Sequence, residues 1–399
     1  MSNPLPLGGV RVLDLTWVVS GPQGSRVLAD LGAEVLKIEA PGRGDQTRRT
    51  QGMYIYFNRN KLGISLNMAS EEGRGVFREL VAVSDVVMEN FSAHVMERWG
   101  FGYQGLRAIN PTIVYVSMPG FGHSGPYQEY QSNGPTIQAL SGQSFMIGRA
   151  GMPAAGWGYS YMDHTAGYYG AMAVLQALYY RNRTGRGQFV DLAQYETACN
   201  LMGVNILDFT VNGRSQRRAD MPAGNRSLYP PGAPHGVYQC KGEDRWCAIA
   251  VFSEEEWAAF RRALGDPAWA REAKFATLEA RLASQEELDK HVEAWTSGLT
   301  HKEVMDRLQA VGVAAGMVQD PQQRAEEDPQ LRARGHIVEL EDPAGRTVRV
   351  DSLPMTVSAL AHDDYRLAPQ SGEHNQHIYG QLLGMPEEQV QGLAQRGVC

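Results

Sequence analysis

The sequence predicts an α/β chain: an open parallel sheet with helices on both faces, joined to a smaller α+β domain. Three observations carry this expectation. A strand, a tight loop, a helix and a second strand succeed one another within residues 10–39. The alternation recurs as far as residue 117, and amphipathic helices then dominate residues 254–311.

Residues 10–15 are a short β-rich run, followed by the loop Thr16-Trp17-Val18-Val19-Ser20-Gly21. Pro22 suits the first position of a helix. That helix, over 22–31, stops at Gly32, a natural C-terminal cap residue. Glu34-Val35-Leu36-Lys37-Ile38-Glu39 is the next strand, and such a βαβ unit implies a parallel sheet covered by helices. A helix over 73–84 and strands over 85–90 and 113–117 follow, with a short segment at 106–109. Each strand ends in a polar or glycine-rich loop: Val19-Ser20-Gly21, Asn90-Phe91 and Met118-Pro119-Gly120-Phe121-Gly122. In open α/β sheets, ligands bind in the crevice beyond such strand ends, which makes the expected domain Rossmann-like. The first turn reads Ser20-Gly21-Pro22-Gln23-Gly24 and lacks Gly-x-Gly-x-x-Gly, so NAD or FAD binding of the usual kind is not expected.

The large domain is expected to span 1–205. A linker or active-site loop over 206–236 follows, with four prolines and three glycines between 221 and 236. A small α+β domain over 237–325 opens with a hairpin that turns at Lys241-Gly242-Glu243-Asp244. Its helices lie over 254–264, 278–282, 285–295 and 302–311, with Ser284 and Thr300 as starts. The tail, 326–399, carries strands at 337–340 and 347–350 and is expected to return to the large domain.

The chain has 399 residues, 43% hydrophobic and 20% charged, with net charge −7 and no block of like charges. That balance predicts no nucleic-acid partner and no anionic-membrane surface. No apolar run is long enough to span a bilayer, and Met1-Ser2-Asn3-Pro4-Leu5 has no signal-peptide character. The four cysteines show no CxxC or metal spacing. A soluble cytoplasmic protein is expected.

One carboxylate stands out. Asp163 lies in Gly158-Tyr159-Ser160-Tyr161-Met162-Asp163-His164-Thr165-Ala166-Gly167, immediately before an apolar helical run. Backbone N–H groups at a helix start favour an anion. Asp163 is therefore either an N-cap or a functional carboxylate placed where it stays ionised.

Several segments, in order over nearly the whole chain, resemble the family III CoA-transferases. This group contains the carnitine, formyl-CoA and bile-acid CoA-transferases and the related α-methylacyl-CoA racemases. The segments include Arg11-Val12-Leu13-Asp14-Leu15-Thr16 and Leu31-Gly32-Ala33-Glu34-Val35-Leu36-Lys37-Ile38-Glu39. Further along come Asn58-Arg59-Asn60-Lys61, Val87-Met88-Glu89-Asn90-Phe91, Thr184-Gly185-Arg186-Gly187-Gln188 and Gly372-Glu373-His374. The resemblance implies that Asp163 is the nucleophile of a CoA transfer running through aspartyl mixed-anhydride and aspartyl-CoA thioester intermediates. Such chemistry uses no metal and no permanently bound cofactor; coenzyme A and acyl-CoA are substrates. By the same resemblance Val18, Val19, Ser20, Lys61, Asn90, Phe91 and Arg98 contact CoA, with Lys61 and Arg98 suited to its phosphates. Otherwise Lys61 and Arg98 are solvated surface charges, and Asn90 forms an Asx-turn.

The racemase branch carries a His-Asp pair where this chain has Ser132-Asn133-Gly134-Pro135. Asparagine and glycine are not proton-transfer bases, which favours transferase over racemase or epimerase. The formyl-CoA branch has a Tyr-Glu pair there, so a different acceptor pocket is expected. The glycine-rich loop with which the formyl-CoA branch covers its active site also has no clear counterpart; Pro230-Pro231-Gly232-Ala233-Pro234-His235-Gly236 is expected as a stiffer substitute. His123 and His164 are the histidines nearest the motifs, with structural roles as the simpler reading. The donor implied is an acyl-CoA such as succinyl-CoA and the acceptor an organic acid, with benzylsuccinate-type transferases as relatives. A non-catalytic CoA-binding subunit of a heteromer is the remaining alternative. The resemblance also implies an interlinked dimer, either a homodimer or a heteromer with a homologous chain.

Overall fold

The computed structural model describes residues 5–147, 153–156, 158–215, 217, 224–356 and 365–399. Positions 216 and 218–223 of the 206–236 stretch lie outside the described residues. The chain forms two compact units, Met1–Ile147 with Ala155–Val211 and Gln330–Cys399, and Gly148–Ala154 with Asn212–Pro329.

The first unit holds a six-stranded parallel sheet. Its strands are β1 (Arg11–Asp14), β2 (Glu34–Glu39), β3 (Leu62–Ser65), β4 (Val86–Glu89), β5 (Val114–Ser117) and β6 (Phe189–Asp191), in the order β3-β2-β1-β4-β5-β6. This is the doubly wound order, with its topological switch between β1 and β4. The central strands β4 and β5 are buried along their whole length, as a sheet covered on both faces requires.

The helices of this unit are α1 (Ser20–Asp30), α2 (Gln51–Asn58), α3 (Glu71–Ala82), α4 (Val95–Arg98), α5 (Tyr103–Ile109), α6 (Gly134–Leu140), α7 (Gln143–Met146), α8 (Tyr161–Thr184), α9 (Gln194–Leu201) and α10 (Gly203–Asn212). Alternation along the strands sorts the core into two layers. Val12, Val35, Val86 and Val116 face α1 and α8, meeting Leu28, Ala166 and Val174. Leu13, Leu36, Val87 and Tyr115 face α3 and α5, meeting Phe77, Leu80 and Leu106.

Two strands of this unit went unread in the sequence. Glycine and serine interrupt Leu62-Gly63-Ile64-Ser65 in β3, and β6 has only three residues, so neither shows the aliphatic run that marks the equally short β4 and β5. The segment at 106–109 is the end of α5.

The second unit is an antiparallel sheet of β7 (His235–Gln239), β8 (Trp246–Ala250) and β9 (Ala314–Met317). With it go α11 (Glu254–Ala263), α12 (Leu278–Ala283), α13 (Gln285–Thr296) and α14 (His301–Gln309). Trp257, Phe260, Phe275, Leu288 and Val292 centre its core. Ser253 and Thr300 form capping boxes with Glu256 and Glu303, whereas Ser284 precedes α13 without a side-chain cap bond. After α15 (Pro329–Ala333), strands β10 (Ile337–Glu341) and β11 (Thr347–Asp351) pair only with each other, and α16 (Glu387–Gln395) adds Val390 and Leu393 to the first unit's core.

A buried ionic network organises the carboxyl end of β1. The Lys61 ammonium donates to Asp14 Oδ2 at 2.9 Å, Ser25 Oγ at 2.8 Å, Asn58 Oδ1 at 2.9 Å and the Pro22 carbonyl at 3.2 Å. Lys37 donates to the Thr16 carbonyl and pairs with Asp45 at 3.3 Å. Burial by itself raises the Asp14 carboxyl, but Lys61 and Lys37 outweigh it and hold the pKa at about 2, against an ordinary 3.8.

Removing one member of a buried pair strands the other charge, so Lys61→Met is expected to lose about 3–5 kcal/mol in urea unfolding. The double variant Asp14→Asn/Lys61→Met should recover most of that loss. Because the folded-state pKa of Asp14 is depressed, its stabilisation is complete above pH 3.8 and is lost as pH falls toward about 2. The stability gap between wild type and Asp14→Asn should therefore narrow through that window, as followed by denaturant melts at successive pH values.

Candidate active site

The switch point brings most of the sequence-predicted residues together. After β1, the chain turns through Trp17 and Val18 into α1; after β4 it turns through Asn90 and Phe91. Asn90 ties the two loops. Its Oδ1 accepts from the Trp17 N–H at 2.9 Å, and its Nδ2 donates to the Trp17 carbonyl at 3.0 Å and Ser20 Oγ at 3.2 Å. The Asx-turn reading is thus replaced by a cross-loop clamp. Val18 has a left-handed backbone (φ 66°), and its N–H donates to Asp45 Oδ2 at 3.0 Å. Val19 and Ser20 are buried at the start of α1. Phe91 meets Trp17 and Trp99 edge-on, with centroids 6.4 and 5.5 Å away.

Trp17, Phe91 and Trp99 line one side of a cleft of about 770 Å³, and Arg43, Arg48 and Arg49 line another. Arg48 is committed to Glu39. Arg43 and Arg49 are exposed and form no ion pair among the described residues. Lys61 is placed differently: it is buried, with four oxygen acceptors around three ammonium protons, and has none left for a phosphate. Its surface-charge reading fails for the same reason. Arg98 is exposed at the end of α4.

Asp163 occupies the first turn of α8, three residues after the N-cap Ser160. The N-cap position is therefore Ser160's, whose side chain makes no cap bond, and the Asp163 carboxylate meets other partners. Gln194, at the start of α9, donates to its Oδ1, and Ser160 also bonds it. Burial pushes the Asp163 pKa up, and the Gln194 and Ser160 hydrogen bonds pull against it without cancelling it. Nearness to a helix N-terminus stabilises an anion by only about 0.3–1 kcal/mol.

Two glycine contacts set this geometry. A Cβ on Gly134 would lie 2.5 Å from Asp163 Oδ2, so only glycine lets α6 approach the carboxylate. A Cβ on Gly167 would lie 2.6 Å from the Ser20 carbonyl, and one on Gly24 would lie 2.8 Å from the Gly167 carbonyl. Helices α1 and α8 therefore touch backbone to backbone, one turn from Asp163, beside the first loop. Gln23 is fully buried at this crossing, with neither amide atom hydrogen-bonded.

His164 points away from proton chemistry. Its ring stacks on Tyr159 with centroids 4.9 Å apart, and burial, reinforced by Arg26, lowers its pKa to about 4. His123 bonds Ser117 Oγ at 2.7 Å.

Gln194, Ser160, Gly134, Arg43 and Arg49 were not singled out as site residues in the sequence. Gln194 follows the three-residue strand Phe189-Val190-Asp191, too short to announce a strand end beside the crevice.

A family model described as CoA-transferase family III matches residues 7–375. Succinyl-CoA--D-citramalate CoA-transferase of Chloroflexus aurantiacus is 32% identical over 403 residues, covering 99% of this chain and 98% of that protein. Succinyl-CoA--L-malate CoA-transferase beta subunit of the same organism is 31% identical over 408 residues, covering 100% and 99%. Among solved structures, a CAIB/BAIF family protein from Brucella suis matches with a TM-score of 0.84 at 30% identity, covering 95% of this chain and 100% of that one.

Replacing Gln194 by Leu removes a hydrogen bond that lowers the Asp163 pKa, so the pKa should rise further above the ordinary 3.8. Carbodiimide labelling of Asp163 across pH, read by peptide mass spectrometry, should show a higher midpoint in Gln194→Leu than in wild type. Equal midpoints would show that Gln194 does not tune this carboxylate.

Proposed function

The chain belongs to CoA-transferase family III, and on that premise we propose that it moves CoA from succinyl-CoA to an organic carboxylic acid, with Asp163 as the nucleophile. The observation that carries this reading is the placement of Asp163. Its carboxylate lies beside Gly134 and under Gln194, one helical turn from the contact of α8 with the Ser20 carbonyl.

In the proposed reaction, a carboxylate oxygen of Asp163 attacks the donor's thioester carbonyl. The C–S bond breaks, CoA leaves as a thiolate, and a mixed anhydride remains. The thiolate attacks the aspartyl carbonyl and expels the donor carboxylate, leaving aspartyl-CoA thioester. An acceptor carboxylate attacks that thioester to form a second anhydride and release the thiolate. Attack of the thiolate on the acceptor's acyl carbon then frees product and restores Asp163. Two hard exchanges become four steps between activated acyl species. Gln194 holds the carboxylate at the correct angle, and the raised pKa makes it a stronger nucleophile.

The cleft supports the CoA half of the reading. Trp17, Phe91 and Trp99 offer faces for an adenine, and Arg43 and Arg49 replace Lys61 as the cations facing its phosphates. Val18, Val19 and Ser20 continue the loop from Trp17, which lines the cleft, and Asn90 bonds Trp17 and Ser20; Arg98 is an exposed charge next to Trp99. The donor assignment draws on the two succinyl-CoA-dependent relatives.

A partner chain is part of the proposal. The α8–α10 region exposes Tyr168, Met172, Tyr179, Val204, Phe209 and Val211, with Val204 at 77% and Phe209 at 64%. An apolar face of that extent supports burial against a second chain, and a homodimer is the simplest arrangement. The beta-subunit relative favours, as a second reading, a heteromer with a homologous chain.

With succinyl-CoA and a panel of acids, Asp163→Asn is expected to lose CoA exchange by on the order of 10³-fold or more. Hydroxylamine should label Asp163 only when acyl-CoA is present, as read by peptide mass spectrometry. Undiminished turnover by Asp163→Asn overturns the mechanism, and solvent deuterium uptake at the α-carbon without exchange points instead to a racemase. Light scattering should report at least two chains.

A further inference from the structure

A cluster outside the acyl-transfer machinery has the make-up of a cation site. His94 precedes α4, Glu97 lies one turn along it, and His123 sits in the loop after β5. One ligand atom from each falls within 4.8 Å of the others. His123 Nδ1 is 3.8 Å from Glu97 Oε1, and the two imidazoles meet edge-on, with centroids 5.3 Å apart and planes at 86°.

The arrangement is oriented from behind. His123 Nε2 pairs with Ser117 Oγ at 2.7 Å, and the His123 backbone N–H donates to Asp191 Oδ2 at 2.9 Å. Ser117 in turn bonds the buried Glu89 carboxyl, which also accepts from Tyr115 Oη at 2.8 Å and the Phe91 N–H at 2.7 Å. When Glu89, whose pKa burial raises to about 7, is ionised, the Ser117 hydroxyl donates to it and Ser117 Oγ accepts from His123 Nε2–H. The Nδ1 lone pair is then left facing Glu97 and His94. A histidine whose second nitrogen is fixed by a hydrogen-bond acceptor is the arrangement that orients metal-binding imidazoles. His94 adds a left-handed backbone (φ 66°), an uncommon conformation away from glycine.

We propose that His94, Glu97 and His123 bind one divalent cation of borderline softness, Zn²⁺ by preference. Two imidazoles and a carboxylate with one open position form a known type of zinc ligand set. Tetrahedral ligand atoms at about 2.0–2.1 Å from the metal lie about 3.4 Å apart, so closure from separations within 4.8 Å needs a contraction of at most about 1.4 Å. Glu97 is exposed and can change rotamer to supply it. A bound cation would tie α4 to the loop after β5, and α4 is followed by Trp99 in the wall of the cleft. The cation would act as a clamp on that wall, with no part in the chemistry at Asp163.

The test uses the purified full chain stripped with EDTA, with Co²⁺ as the probe. Wild type is expected to take up one Co²⁺ per chain, with visible d–d absorption and partial quenching of tryptophan fluorescence, and Zn²⁺ should displace it. Glu97→Gln and His123→Ala should each weaken binding by tenfold or more, and Ser117→Ala by about 10–100-fold. His377→Ala, an exposed histidine elsewhere, should bind as wild type does. Because Glu97→Gln changes an exposed side chain to its neutral isostere, it decides the matter if His123→Ala misfolds. No saturable uptake by wild type, or unchanged affinity in Glu97→Gln, overturns the proposal.

Discussion

The Lys61–Asp14 ion pair is the constraint on which the rest of the first unit's architecture depends. Asp14 ends β1, Ser25 and the Pro22 carbonyl belong to α1, and Asn58 ends α2; Lys61 reaches all of them from the start of β3. One ammonium thereby fixes where the chain leaves the first strand and where the first helix begins. Lys37 and Asp45 extend the hold to Thr16 and Val18. Burying such charges carries a desolvation penalty of several kcal/mol per ion, which only saturated partners offset. The network is saturated, and the loop it holds forms one wall of the cleft. Its stability and its shape have the same origin.

A second constraint is the backbone contact between α1 and α8. Helix axes normally stand about 8–10 Å apart, separated by side chains. Gly24 and Gly167 remove that spacing, so the turn carrying Asp163 is pressed against the end of the loop that Lys61 and Asn90 position. Gly134 brings α6 equally close from another side. A carboxylate in that position has few degrees of freedom, and its orientation is set by Gln194. Burial outweighs the helix end's preference for an anion, and the net effect is a raised pKa.

The doubly wound sheet was legible because β1, β2, β4 and β5 are runs of aliphatic residues closed by glycine or polar loops. Strands β3 and β6 were not, since glycine breaks Leu62-Gly63-Ile64-Ser65 and Phe189-Val190-Asp191 is only three residues long. Asp163 stood out as a candidate from its aromatic, glycine-containing surroundings and the apolar helix that follows. Its partner Gln194 was hidden because the contact spans 31 residues and rests on a strand that the pattern did not reveal. Lys61 shows a different limit. Its type and motif fit a phosphate contact equally well, and nothing local says that Asp14, 47 positions away, claims its charge. A cation's role depends on what else converges on it, which is information that only the fold contains.

Water exclusion links the proposed chemistry to the proposed assembly. A mixed anhydride on Asp163 survives only where acceptor and thiolate reach it sooner than water does. Yet Tyr159 before α8 and Tyr168 within it are 59% and 45% exposed on either side of Asp163 in the chain, and α8 also exposes Met172 and Tyr179. A side chain of that size left in solvent forgoes about 1.5–3 kcal/mol of burial. Several together form a surface whose stability improves when something covers it. A second chain seated there would bury that apolar surface and shield the carboxylate in one step. On this reading dimerisation is a condition of transfer over hydrolysis, since the same contact that stabilises the exposed helices dries the reacting oxygen.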